Sequence, residues 1–560
     1  MELNNLSICQ EFIISEEYAD FFTDFVSNRP LATLGETETC IETITNEYGI
    51  VHAALDEIPP VNFENYSYSL IPNLYALVAD FSVTGDVSQE ESGIEQLKDS
   101  PLSLSGRGVM IGYLDTGIDI SNDAFRYSDG STKIVGIWDQ TVYTGTPPEG
   151  FLYGSEFRRE DINQALQTDE GRRLFPSKDE IGHGTAIAGT RSADNAMIAM
   201  VKLKPAKNYL KRLYRIDESS PLYQETDMLM AVKYLDQLAT FLGVPLVICI
   251  GLGSNMGDHQ GTTVLSYFLN QIADKDNREI IVAGGNEGNA RHHYEGVAGV
   301  QSQDEIEIKV GENETGMMIE LWAQSPDVFS VAIRSPGGER IPRIPITNRE
   351  SKEYGFVFER SRVTIDYLVN EISAGNELII LRFEKPTPGI WTIYTYQNNE
   401  DEALVYGTYH MWLPCRGMIS DETYFLESNQ NVTLTEPSLG ADVISVSTYQ
   451  AQNGSFYVDS GRGYSRLGRI KPDIAAPGVD VETAIGRTTG SCMAAALTAG
   501  AVALFFEWAV TLGNLPEVRK GEVKFNLING AVRDNDLTYP NRMWGYGKLN
   551  IFDSIAKIIR

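Results

Sequence analysis

The sequence predicts an α/β protein: a three-layer sandwich around a parallel sheet, preceded by a small α+β domain and interrupted by an all-β jelly roll. Three observations carry this expectation. From Gly108 onward, short apolar runs alternate with helical segments, as expected of strands buried on both faces and returned by helices. Near residue 300 closely spaced strand-like runs separated by turn residues take over. Near Ala441 the first rhythm resumes, so the β-rich part is an insertion.

The elements follow in order. Residues 1–86 mix acidic helical stretches with apolar strands such as Ile50–Leu55 and Leu74–Val78, and form the small N-terminal domain. The polar, acidic stretch Gly85–Gly93 reads as a linker or processing site, which places a junction between Thr84 and Gly93. The α/β domain is expected over 87–300 and 438–560. Its buried strands include Val109–Leu114, Leu246–Ile250 and Ile280–Ala283, with a helix through Met228–Leu235. The jelly roll is expected over 301–437, with strands at Met317–Trp322, Leu378–Phe383 and Gly389–Tyr394 among others. Trp322, Trp391 and Trp412 read as its core rather than as a carbohydrate platform.

The chain has 560 residues, 42% of them hydrophobic, enough to bury a large core over several domains. Its net charge of −32 argues against nucleic acid or an anionic membrane as partner, because both need basic surface. The first residues lack a basic segment followed by an apolar core, so no secretory signal is expected, and no membrane span is expected. The five cysteines are scattered and show no disulfide framework or metal-ligand spacing, which fits synthesis in a reducing compartment. No cofactor motif appears. Structural calcium suits the carboxylate content but receives no assigned site, and His292-His293 read as solvated loop histidines.

Four segments carry chemistry. Tyr113-Leu114-Asp115-Thr116-Gly117 puts a carboxylate at the C-terminal end of a buried strand, where open α/β sheets place functional groups. Gly182-His183-Gly184-Thr185 opens a helix with an imidazole between glycines. Ala283-Gly284-Gly285-Asn286 follows a strand and offers a side-chain amide. Thr489-Gly490-Ser491-Cys492-Met493-Ala494 is a small-residue turn leading into an apolar helix. Each alone is ordinary: a turn-forming Asp, a capping His, a Gly-Gly-Asn turn, a small buried cysteine. Their joint order, Asp…His…Asn…nucleophile, is far more specific. Gly251-Leu252-Gly253-Ser254, after the strand ending at Ile250, offers a backbone edge to a substrate.

Together these motifs resemble the subtilase family of serine endopeptidases, from about Gly106 to the C-terminus. The N-terminal domain and the jelly-roll insertion make the Csp germination proteases of clostridial spores the most similar group. The resemblance implies a catalytic set of Asp115, His183 and Cys492, with Asn286 and the Cys492 N–H as oxyanion hole. It implies substrate binding by Gly251, Leu252, Gly253, Ala283 and Gly284. It further implies a prodomain that assists folding and is excised by the enzyme itself, and a protein substrate such as a cortex-lytic enzyme precursor. Related Csp proteins are implied as partners, and synthesis in the cytoplasm with deposition in the spore as location. Some members of that group are pseudoproteases that act as signalling scaffolds, so a catalytically silent chain is the alternative.

The departure from the family pattern is Cys492, where serine is expected. A thiolate is the more reactive nucleophile. Sulfur is also bulkier than oxygen, and a pocket shaped for serine misplaces it; an error of ~1 Å costs on the order of 100-fold. An introduced residue, a natural thiol variant and early loss of proteolysis all fit. Retention of Asp115, His183 and Asn286 argues against long decay.

Overall fold

The computed structural model describes residues 3–25, 34, 37–78, 92–300, 302–347, 350–371, 374–399 and 406–559. The expected junction between Thr84 and Gly93 falls almost wholly outside them.

A nine-stranded sheet organises the α/β domain. Its central strands Ile134–Asp139, Met197–Lys202, Met110–Asp115, Leu246–Ile250, Arg278–Ala283 and Ile444–Gln450 lie side by side in that order, all parallel. Side chains alternate across this sheet. Ile111, Tyr113, Val247, Cys249 and Ile281 face the layer containing helix Ser491–Phe506. Met110, Leu114, Ile248, Ile250 and Ile280 face the layer containing helix Glu225–Leu242. The period of two along a strand thus builds the three layers the apolar runs predict. Among the described residues one helical segment, Ser491–Thr511, is long and apolar enough to cross a bilayer; 94% of its 18-residue apolar window is buried within the protein.

The insertion is a sandwich of a six-stranded and a five-stranded sheet. Its first strand, His293–Val297, pairs with Thr408–Trp412 and lies ahead of the expected start at residue 301. Trp391 packs between the sheets with Ile308, Ile319 and Leu381. Trp322 and Trp412 do not. Strand alternation turns them to the outer face, where they pack with Tyr68 and Leu74 of the N-terminal domain.

The N-terminal domain carries a helix, Leu3–Ile14, and a three-stranded antiparallel sheet in the order Tyr18–Asp24, Tyr48–Ala54, Thr39–Thr43. Contrary to the sequence expectation, two cysteines are paired: Cys9 on the helix and Cys40 on the neighbouring strand form a disulfide. Residues 31 apart in sequence converge because the sheet folds back under the helix, a proximity that cysteine spacing alone does not reveal. The domain's last strand, Leu74–Leu77, leaves it and enters the α/β domain. There it becomes the middle strand of a three-stranded sheet, between Leu252–Gly253 and Tyr223–Gln224.

Candidate active site

Asp115 ends the central strand Met110–Asp115 and is buried. Its Oδ1 accepts a hydrogen bond from the Thr116 N–H at 2.7 Å. His183 is the first residue of helix His183–Ala188, which starts after Gly182 at φ 87°, a conformation suited to glycine. A Cβ on Gly184 would lie 2.1 Å from the Gly117 carbonyl oxygen, so the glycine lets the histidine loop close on the aspartate loop. Asp179, which sequence reasoning did not single out, clasps both loops. Its carboxylate accepts from Thr116 Oγ1, the Gly182 N–H, the Thr185 N–H and Thr185 Oγ1 at 2.6–2.8 Å.

The Asp115 carboxylate receives His183 Nδ1, both oxygens lying at 2.8 Å. The other side of the ring faces Cys492, whose electrostatic influence the imidazole feels. The same point in space confirms the approach: a Cβ placed on Gly251 would stand 3.2 Å from Cys492 Cβ and 3.3 Å from His183 Cε1. Burial pulls the imidazole toward its neutral form. The charges of Asp115 and Cys492, with the Asp115 hydrogen bond, outweigh burial and hold His183 well above the ordinary histidine range.

Cys492 lies in the first turn of helix Ser491–Phe506, where backbone N–H groups have no intrahelical acceptor. Ser491 faces elsewhere: its Oγ accepts from the Gly285 N–H at 3.1 Å, and its own N–H donates to Asn286 Oδ1 at 3.1 Å. A backbone N–H only donates, so the Asn286 atom facing it is the oxygen. The Nδ2 donor is thereby left for a ligand. Asn286 is braced in turn through Glu287. The Glu287 carboxylate accepts from His292 Nδ1 (2.7 Å), Asn255 Nδ2 (3.2 Å) and the Arg416 N–H of the sandwich (3.0 Å).

This bracing corrects the expectation for His292-His293. Both are buried rather than solvated, because strand His293–Val297 runs into the sandwich. His293 Nε2 lies 3.0 Å from His410 Nδ1, and its ring stacks on Trp412. Among the described residues no group of three or more His, Cys, Asp or Glu is placed to hold a metal ion.

The predicted substrate edge is occupied by the chain itself. Leu252 pairs with Leu77 and Gly253 with Ala76, and the Val78 N–H donates to the Gly251 carbonyl at 3.1 Å. Beside this strand lies a cavity of about 230 Å³ lined by Val78, Gly253, Asn286, Cys415 and Thr435, among others. Ala283 and Gly284, expected to line it, stand behind it. The Ala283 side chain points into the core layer of helix Ser491–Phe506, and the Gly284 N–H is spent on the Val446 carbonyl. Thr435 takes their place, its Oγ1 only 2.5 Å from where a Gly253 Cβ would be. It lies far from the motifs in sequence, and no local pattern marks it.

The arrangement is a buried carboxylate, an imidazole, a sulfur and a free amide N–H around an extended peptide. It suits acyl transfer at a peptide carbonyl. Comparison with known proteins agrees. The model of the subtilase family matches residues 368–547, which include the Cys492 segment. The structure of the Clostridium perfringens CspB protease superposes with a TM-score of 0.74 at 28% identity, over 84% of this chain and 97% of that one. The chain is subtilisin-like and, by its likeness to CspB, Csp-like. The Staphylococcus aureus epidermin leader peptide processing serine protease is also similar, at 13% identity and a TM-score of 0.41, over 97% of this chain and 98% of that one. A comparison with curated proteins found no match.

Proposed function

We propose that this subtilisin-like chain is an endopeptidase with Cys492 as nucleophile, which excises its own N-terminal domain and then cleaves a protein substrate. The observation that carries this reading is the seating of Leu74–Val78 against Gly251–Gly253, beside Cys492, His183 and Asn286. A strand held in this way presents a carbonyl to the nucleophile in a fixed pose. The Cys492 sulfur attacks that carbonyl, its proton passing to His183 Nε2 and later to the leaving amine. Asp115 keeps the Nδ1 proton in place and stabilises the charged ring. Asn286 Nδ2 and the Cys492 N–H receive the oxyanion. An Asn286→Ala variant is therefore expected to lose about 100- to 1,000-fold in kcat with little change in KM. Steady-state assays on a peptide carrying Ala76-Leu77-Val78 joined to a chromogenic amine measure it, and an unchanged kcat would remove Asn286 from the mechanism.

The strand register favours a cut after Val78, upstream of the acidic stretch that the sequence marks as the junction. Val78 borders the pocket beside Gly253 and Thr435, so a small branched residue is preferred before the scissile bond. N-terminal sequencing of the purified protein is the test. A new terminus at the residue following Val78 is expected; one between Thr84 and Gly93 would return the site to the acidic stretch.

The likeness to CspB supports the further reading that the substrate is a cortex-lytic enzyme precursor, with deposition in the spore and related Csp proteins as partners. A catalytically silent scaffold is the second reading. Two features favour it: the sulfur at the nucleophile position, and the buried ion pairs that clamp the N-terminal domain over the cleft, among them Lys207 with Asp20 at 2.7 Å.

A further inference from the structure

The N-terminal domain, the α/β domain and the sandwich meet around a cavity of about 470 Å³, separate from the catalytic cleft. The N-terminal domain contributes Phe22, Asp24, Tyr48 and Asn73 to its wall, the α/β domain Glu225 and Asp258, and the sandwich Trp322. Its lining holds carboxylates and aromatic rings but no lysine, arginine or histidine among the described residues. The cavity is of the size that small-molecule sites occupy.

The polar groups have specific states. Each Glu225 oxygen accepts one backbone N–H, from Asn73 at 3.0 Å and Leu265 at 2.9 Å, and burial pushes the carboxyl up to about 7. Asp258 accepts from the Gln260 N–H at 2.9 Å, and burial raises it too, against the pull of Arg466. Arg466 stands behind the wall. Its guanidinium lies 5.7 Å from the Trp322 ring centroid and its Nε donates to the Asp258 carbonyl at 2.8 Å. Asn73 is buried and commits both backbone groups to Glu225, while its side-chain Oδ1 has no hydrogen-bond partner. A buried acceptor without a donor is costly and rare in folded proteins. In an acid-lined space walled by aromatic rings, the donor that fits carries positive charge.

We propose that this junction cavity binds a small organic ammonium with an apolar body. Asn73 Oδ1 and the carboxylates of Glu225 and Asp258 receive its N–H groups, and Phe22, Tyr48 and Trp322 pack its hydrocarbon. All three parts of the protein form the wall, so the ligand binds the docked state of the N-terminal domain and stabilises it by mass action. The site is thus a point at which a soluble amine governs how long the cleft stays covered.

The test titrates the whole chain with benzylammonium and cyclohexylammonium, and with benzyl alcohol and cyclohexanol as neutral isosteres, by calorimetry and thermal unfolding. Saturable binding of an ammonium at one site with a rise in Tm is expected, and at least about ten-fold weaker binding of its alcohol. Asn73→Leu and Asp258→Asn, each checked for folding by circular dichroism, are expected to weaken the ammonium about ten-fold. Failure of both ammoniums to saturate means the space holds water only and overturns the proposal. So does equal binding of ammonium and alcohol, a comparison on the native chain that needs no variant. None of these readouts involves proteolysis, so the outcome is independent of the peptidase reading.

Discussion

Replacing Cys492 with serine is expected to speed release of residues 1–78 by on the order of 100-fold, whereas Cys492→Ala leaves the 62.1 kDa chain whole. His183, Asp115 and Asn286 stand where an oxygen nucleophile needs them, with both Asp115 oxygens on Nδ1 and the Asn286 amide oriented by the Ser491 N–H. The pocket around position 492 is closed: the cysteine is fully buried, and Gly251 leaves just enough room for Cys492 and His183 to pass each other. A longer bond to a larger atom moves the reacting centre off the attack line without disturbing the rest. Denaturing gels over time decide it. If the serine variant stays as intact as the alanine variant, the cleft is not a working peptidase and the scaffold reading stands.

Lys207→Met is expected to loosen the N-terminal domain by about 3–5 kcal/mol, seen as at least a hundred-fold faster departure of the excised fragment on size exclusion. Asp20 is fully buried and accepts from three partners: His52 at 2.6 Å, Lys207 at 2.7 Å and Gln224 at 2.7 Å. Two of the three belong to the α/β domain. Stripping Lys207 leaves the Asp20 charge short of its main counter-ion in a dry interface. A pH response follows from the same cluster. Burial pulls His52 down, but Asp20 and Glu42 outweigh it and raise the ring above 6.5. This contribution is complete below the ordinary histidine value and is lost as pH climbs through the raised one. Burial pushes Asp20 up, but Lys207 and His52 hold it well below 3.8; its contribution is present above 3.8 and lost as pH falls through the lowered value. Lys207 itself is drawn down, because burial outweighs the pull of Asp20, so its contribution runs opposite to that of His52, while Asp20 stays charged throughout the neutral range and adds no slope there. Release is expected to be slower near pH ~6 than near pH ~9. A flat profile would remove His52 from the clamp.

The proposed catalytic quartet was legible because each member sits beside a local signal: a strand end for Asp115, a glycine-flanked helix start for His183, a Gly-Gly turn for Asn286, a small-residue turn for Cys492. The three layers were legible from apolar runs, since strands buried on both faces need them. What escaped depends on partners remote in sequence. Asp179 looks like any loop carboxylate until its four donors assemble around it. His292 and His293 resemble a polar loop, because burial there is imposed by strands more than a hundred residues away. Cys9 and Cys40 carry no spacing signature, and Thr435 reaches the pocket only because the chain returns from the sandwich at that point.

The sandwich supplies more than bulk. Its Arg416 N–H donates to Glu287, its Leu413 carbonyl accepts from Asn255 Nδ2, and its Cys415 borders the cavity beside Asn286. Such an insertion is not a cassette that recombination can lift out or exchange, because its removal would strip partners from Glu287, next to Asn286, and from Asn255. Selection acting on whatever the sandwich meets at its outer surface therefore acts, through a few shared residues, on the cleft as well.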